Sequence, residues 1–159
     1  MTSAAQPSVA ATNSIPPVEQ VRPHIKPEEI SFPLPKSLYT TAHIHLTFLD
    51  TSVMVFLTTT TVGGNSAGSV KPMGSFVYAM PDRTSPGSTI STTLYSYPAS
   101  VEYATRTAKI LARRMGVPVY VGCSIDASGL GLIVEEEMDG FKKIVGVIMK
   151  RWEERERRE

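Results

Sequence analysis

Two apolar rhythms run through this chain, one repeating every second residue and one every third or fourth. In residues 41–49, Ile44, Leu46 and Phe48 share one side of an extended segment, while His43, His45, Thr47 and Leu49 share the other. Successive strand side chains point to opposite faces, so this segment reads as a strand. Residues 52–61 open with Val53-Met54-Val55-Phe56-Leu57, apolar on both faces, and such a strand needs cover on both sides of its sheet. Asp50-Thr51 between them is short enough for a hairpin turn, although it lacks the glycine that tight turns favour. Residues 75–80 are again apolar on both faces, residues 90–95 are a strand rich in Thr and Ser, and residues 117–124 form a strand with little polar relief. A further strand is expected over residues 130–135, with Leu132 and Val134 on one face and Ile133 on the other, after a turn through residues 125–129.

The longer rhythm marks two helices. Val101, Ala104, Ala108, Leu111 and Met115 form one stripe of a helix over residues 99–115, with Ser100 as a cap and Gly116 and Pro118 as the stop. Met138, Phe141, Val145, Ile148 and Trp152 form the stripe of a second helix starting near residue 136, which Gly140 and Gly146 weaken slightly. The predicted order is β-β-β-β-α-β-β-α. The expected fold class is α+β: a single, mostly antiparallel sheet of about six strands, with two helices on one face and the other face used for dimerisation. Residues 1–37, with Pro7, Pro16, Pro17, Pro23, Pro27, Pro33 and Pro35, are expected to be a disordered tail. Ile30, Phe32 and Leu34 at its end have the spacing of a short edge strand. Residues 38–152 form the α+β domain, and residues 153–159 a charged tail with alternating signs.

Two helices can cover only one side of such a sheet, and an exposed apolar face of several hundred Å2 usually marks a protein interface. Burying about 800 Å2 of it would contribute about 20 kcal/mol before the costs of association. The pattern therefore points to a partner packed sheet against sheet.

Composition narrows the class. A chain of 159 residues with formal charge +1 is a single domain, without the net basic balance of a nucleic-acid or membrane-surface binder. Cys123 is the only cysteine, so no internal disulfide forms and a reducing compartment is natural. No apolar run approaches a membrane span of about 20 residues. No basic residue precedes Arg22 and no apolar leader is present, so no secretory or transit signal is expected. The cytoplasm and nucleus are the expected location.

Candidate chemistry is thin. Residues 63–74 hold Gly63, Gly64, Gly68 and Gly74, but Lys71 falls two residues too late for a phosphate loop and a strand, not a helix, follows. His43 and His45 share a strand face without a third metal ligand at a demanding spacing. Cys123 has no base beside it, and Gly122-Cys123-Ser124 leads into no helix, so it is not a nucleophile elbow. Glu135, Glu136, Glu137 and Asp139 form an acidic cluster suited to a first helical turn, where negative charge complements the helix dipole. No nucleophile, base and oxyanion donor assemble, so no catalysis, cofactor or metal is expected. The candidate partner-binding residues are Met54 and Phe56 on the doubly apolar strand, the basic stripe Arg106, Lys109 and Arg113, and Tyr103 and Ile110, which stand seven apart outside both stripes of the first helix. The competing reading is a small-ligand or nucleotide-binding domain using the glycine-rich loop at 63–74. A blander one is a homodimeric scaffold.

The segment Leu111-Ala112-Arg113-Arg114 through Val119-Tyr120-Val121, the apolar stretch and helix that follow, and the His43-Ile44-His45 strand resemble the proteasome assembly chaperone 4 family over residues 41–149. The proline-rich leader, the glycine-rich loop and the end from Trp152 depart from that pattern, in the manner expected of a fungal member. The resemblance implies a non-enzymatic chaperone that pairs with a proteasome assembly chaperone 3-type partner. It also implies that the pair holds α-type subunits of the 20S proteasome while the α-ring forms. It implies no cofactor and no catalytic motif.

Overall fold

The computed structural model describes residues 25–37, 39–63 and 70–158. The expected disorder of residues 1–24 and the core of the glycine-rich loop, residues 64–69, lie outside the described residues. The elements run β1 (Glu28–Pro33), β2 (Thr40–Phe48), β3 (Val53–Thr61), β4 (Ser75–Pro81), β5 (Thr89–Tyr95), α1 (Val101–Met115), β6 (Val119–Cys123) and α2 (Val134–Glu156). The six strands form one sheet in the order β1-β2-β3-β6-β4-β5. Four of its five pairings are antiparallel, and β3 runs parallel to β6. β2 and β3 form the expected hairpin, Phe48 opposite Val53, closed by a bond from the Leu49 N–H to the Ser52 carbonyl (2.9 Å).

The alternation in the sequence becomes two unlike faces. One carries Ala42, Ile44, Leu46, Val53, Val55, Leu57, Val77, Ala79, Val119, Val121 and Cys123, all buried. Both helices lie against this side: α1 packs on β4, β5 and β6, and α2 reaches β2 and α1. Leu111 of α1 and Ile144 and Ile148 of α2 fill the layer between, and Trp152 closes its far end against Phe48 (ring centroids 5.9 Å). Tyr103 meets Phe141 edge-on (5.4 Å, 81°) where the helices touch.

Turn and cap chemistry sets the element ends. Gly116 takes a left-handed conformation (φ 72°) and returns its N–H to the Ala112 carbonyl (3.0 Å), ending α1 where the sequence places the stop. Ser100 occupies the capping position of α1, but its hydroxyl does not cap the helix. It accepts the Ser75 N–H (3.1 Å) and bonds the Ser75 hydroxyl (2.9 Å), which also donates to the Tyr97 carbonyl (3.0 Å). These buried groups pin the entry to α1 onto the first residue of β4.

Two expectations need correction. Residues 130–135 are not a strand. Leu130 and Gly131 are held in turns by bonds to the Asp126 and Ser128 carbonyls, and α2 begins at Val134. Ile133 and Val134 are exposed, while Leu130 and Leu132 pack on the core from a loop. The sixth strand is instead Glu28–Pro33, at the end of the segment read as tail, where the spacing of Ile30, Phe32 and Leu34 marks an edge strand. Pro33 is tolerated there because β1 is an edge strand and its missing N–H leaves no ladder position empty. Replacing Ile148 by Ala should cost about 2–5 kcal/mol in urea unfolding. Val134→Ala should change stability by no more than about 0.5 kcal/mol. A large cost at Val134 would restore the strand.

Candidate functional site

The second face of the sheet meets neither helix. Its side chains come from the alternate positions: Glu29 and Ser31 of β1, His43 and His45 of β2, Met54, Phe56 and Thr58 of β3, Tyr120 and Gly122 of β6, Phe76, Tyr78 and Met80 of β4, and Ile90 and Thr92 of β5. Its centre is aromatic. Phe56 and Phe76 lie parallel (6.1 Å, 2°), Phe76 stacks on Tyr120 (6.1 Å), and Tyr120 meets Tyr78 at 4.8 Å. Gly122 makes this possible. It pairs with Phe56 on one side and Phe76 on the other, and a Cβ there would fall on the Phe56 ring. All four rings remain half-exposed. Ile90, Leu94, Tyr95 and Tyr97 continue the apolar surface at the β5 side, each about half exposed or more.

Toward β1 the face turns polar. His43 bridges the Ser31 hydroxyl (2.7 Å) and the Thr60 hydroxyl (2.8 Å), and Ser124 bonds Thr58 (2.9 Å). A cleft of about 460 Å3 opens here between His43, His45, Phe56, Lys71 and Met73. His45 Nδ1 is buried with no hydrogen-bond partner among the described residues. The face thus has an apolar centre and a polar margin, the composition of a protein interface core and rim.

The other candidates resolve into structural duties. Three of the four members of the acidic cluster take separate duties. Glu136 accepts the Ile133 N–H at the start of α2 (3.1 Å), Glu137 pairs with Arg106 (2.8 Å) and Asp139 with Lys36 (2.9 Å). The hydrogen bond from Lys36 holds the Asp139 carboxyl below its ordinary range. Cys123 is fully buried on the helix side, and burial pushes its thiol up to about 12. Lys71 is followed by β4, not by a helix whose N-terminus could receive a phosphate. Among the described residues no three His, Cys, Asp or Glu side chains are placed to hold a metal ion, and no helix is long and apolar enough to cross a membrane.

The seven candidate contact residues fall in three places. Met54 and Phe56 lie on the open face. Tyr103 and Arg106 are used between the helices: Tyr103 is buried against Phe141, and the Arg106 guanidinium lies 4.4 Å from the Phe141 ring centroid as well as on Glu137. Burial pushes the Tyr103 phenol well above its usual range. Lys109, Ile110 and Arg113 stand on the outer surface of α1, all three beside a concavity shared with the β4–β5 turn. Sequence reasoning missed Phe76, Tyr78, Tyr120 and Gly122 as members of one surface. A glycine inside an otherwise oily central strand was the available signal of close approach.

One mostly antiparallel sheet, with two helices on one side and an aromatic face left open by them, defines an α+β domain. The comparisons give that class a name. The family model described as proteasome assembly chaperone 4 matches residues 41–125, more than half of the chain. The crystal structure of a chaperone complex for yeast 20S proteasome assembly superposes with a TM-score of 0.56 at 17% identity, covering 80% of this chain and 98% of that one. At that identity the likeness carries the fold. None of the curated protein sequences compared with the chain matches it. The chain belongs to the proteasome assembly chaperone 4 family.

Gly122→Ala should displace the Phe56 ring and cost about 1–3 kcal/mol by overpacking, read by urea unfolding. The raised Cys123 thiol favours the folded state below the ordinary thiol value of 9.0, and that contribution is lost as pH rises from there through about 12. Cys123 should accordingly resist a disulfide reagent at pH 8 until the chain is unfolded in urea. Rapid labelling of the folded chain would contradict its burial.

Proposed function

We propose that this protein is a non-enzymatic chaperone of 20S proteasome assembly that works as a dimer, its open sheet face covered by a proteasome assembly chaperone 3-type partner. Acting in the cytoplasm and nucleus, the pair holds α-type subunits in register while the α-ring forms. The observation that carries this reading is the aromatic face of Phe56, Phe76, Tyr78 and Tyr120, left open by both helices in a chain of this family. A rigid sheet with stacked rings offers large contact area at low ordering cost, and aromatic anchors commonly dominate interface energetics. Templating needs no chemistry from the chaperone: it lowers the entropic cost of bringing ring neighbours together by holding them side by side.

Pulling the tagged protein from cells at low salt should recover a chaperone 3-type chain and α-type proteasome subunits. The doubly substituted Phe56→Glu/Phe76→Glu chain should bind its chaperone partner about a hundredfold more weakly, because it places charge at the centre of the contact. Both substitutions are at half-exposed positions, and circular dichroism would check that the fold persists. Undiminished partner binding by a folded double variant would overturn the assigned face, and recovery of no α-type subunit by the unaltered chain would overturn the function.

A further inference from the structure

The two edges of the sheet are protected unequally. β1 carries Glu28, Glu29 and Pro33. Lys143 donates to the Pro33 carbonyl (3.2 Å), and Arg151 stands 3.6 Å from Glu28. Charge, proline and an occupied carbonyl are the usual means by which an edge strand is kept from pairing with another chain. β5 has none of them. It reads Thr89-Ile90-Ser91-Thr92-Thr93-Leu94-Tyr95, without charge, proline or glycine. Beyond its pairing to β4, no backbone partner meets it among the described residues. Only the irregular register opposite Phe76 and Val77 bends its far end, which leaves residues 89–93 as regular ladder.

The surroundings of this edge are basic. A concavity of about 490 Å3 joins the β4–β5 turn and Thr89 to Lys109, Ile110 and Arg113 of α1, with no acidic side chain in its lining. Among the described residues neither Lys109 nor Arg113 has an ion-pair partner, whereas Arg106 on the same helix is paired with Glu137. Two unpaired cations therefore flank a strand edge with unpaired backbone groups. A second copy of this chain fits poorly. α1 offers one exposed carboxylate, Glu102, against the exposed Lys109, Arg113 and Arg114, so pairing β5 with β5 would bring mostly like charges together.

We propose that the free edge of β5 is a docking site for an extended, acidic segment of a partner protein, which joins the sheet as its next strand while its carboxylates reach Lys109 and Arg113. Main-chain hydrogen bonds supply the binding, and the two cations select the charge of the segment. The site lies on the rim of the sheet, at the margin of the aromatic face.

A fluorescein-labelled synthetic peptide alternating valine and glutamate tests this by fluorescence anisotropy on the full chain, with a valine–lysine peptide and an N-methylated valine–glutamate peptide as controls. The acidic peptide should bind and slow amide hydrogen exchange in residues 89–95. Lys109→Glu/Arg113→Glu, at exposed helix positions, should weaken it about tenfold, and N-methylation should abolish it. No binding of the acidic peptide, equal binding of the lysine peptide, undiminished binding after N-methylation, or protection confined to other strands would each overturn the proposal.

Discussion

Both helices of this protein lie on the same side of its one sheet, and the rest of the architecture answers to that placement. The last strand, β6, enters at the centre, parallel to β3 and antiparallel to β4. The chain reaches it from β5 through α1, which packs on β4, β5 and β6, and leaves it through α2, which returns over β2. The side chains beneath the helices are aliphatic and fully buried, as a helix-on-sheet layer requires. The opposite face meets neither helix, and of the described residues the segment before β4, with Met73 beside Gly122, lies against it. Yet it carries four rings in mutual contact at its centre. Large exposed apolar patches rimmed by polar groups are sites of association.

The open face is specifically built rather than merely uncovered. Gly122 gives up its own side chain so that Phe56 and Phe76 can meet in parallel above the central strand. Polar bridges from Ser31 through His43 to Thr60 fix the margin on three neighbouring strands. The charged groups of the chain are mostly elsewhere, tying helices to each other and to β1: Arg106 to Glu137, Lys36 to Asp139, Arg151 to Glu28. These ion pairs lie at the edges of the fold, away from the aromatic centre of the open face.

Much of this was legible in the pattern of residues. Alternation in β2 and the doubly apolar runs of β3, β4 and β6 specify strands, and the three-and-four spacing of Val101 to Met115 specifies α1, because side-chain direction follows backbone period. What failed was local. Leu130, Leu132 and Val134 alternate like a strand, but Asp126 accepts the Gly129 N–H through its side chain (2.9 Å) and Gly131 adopts φ +66°, so turn chemistry overrides the alternation. Conversely, the spacing of Ile30, Phe32 and Leu34 marks a short edge strand, but the surrounding prolines assign the segment to the tail. Pairing with β2 makes residues 28–33 part of the sheet. The number of strands agrees with expectation while the identity of one differs. Of the candidate site, Met54 and Phe56 were readable from one strand alone. Phe76, Tyr78, Tyr120 and Gly122 join them through register between strands distant in sequence, which no local pattern encodes. Tyr103 and Arg106 stood outside the apolar stripe of α1 because that part of the helix faces α2 instead of solvent.

The claim that the aromatic face belongs to an interface is tested most directly by the mass of the purified chain in solution. Sedimentation equilibrium, on the chain alone and mixed with a proteasome assembly chaperone 3-type protein, should show a stable two-chain species in the mixture. A folded, soluble species of one-chain mass that persists unchanged after mixing would contradict the account.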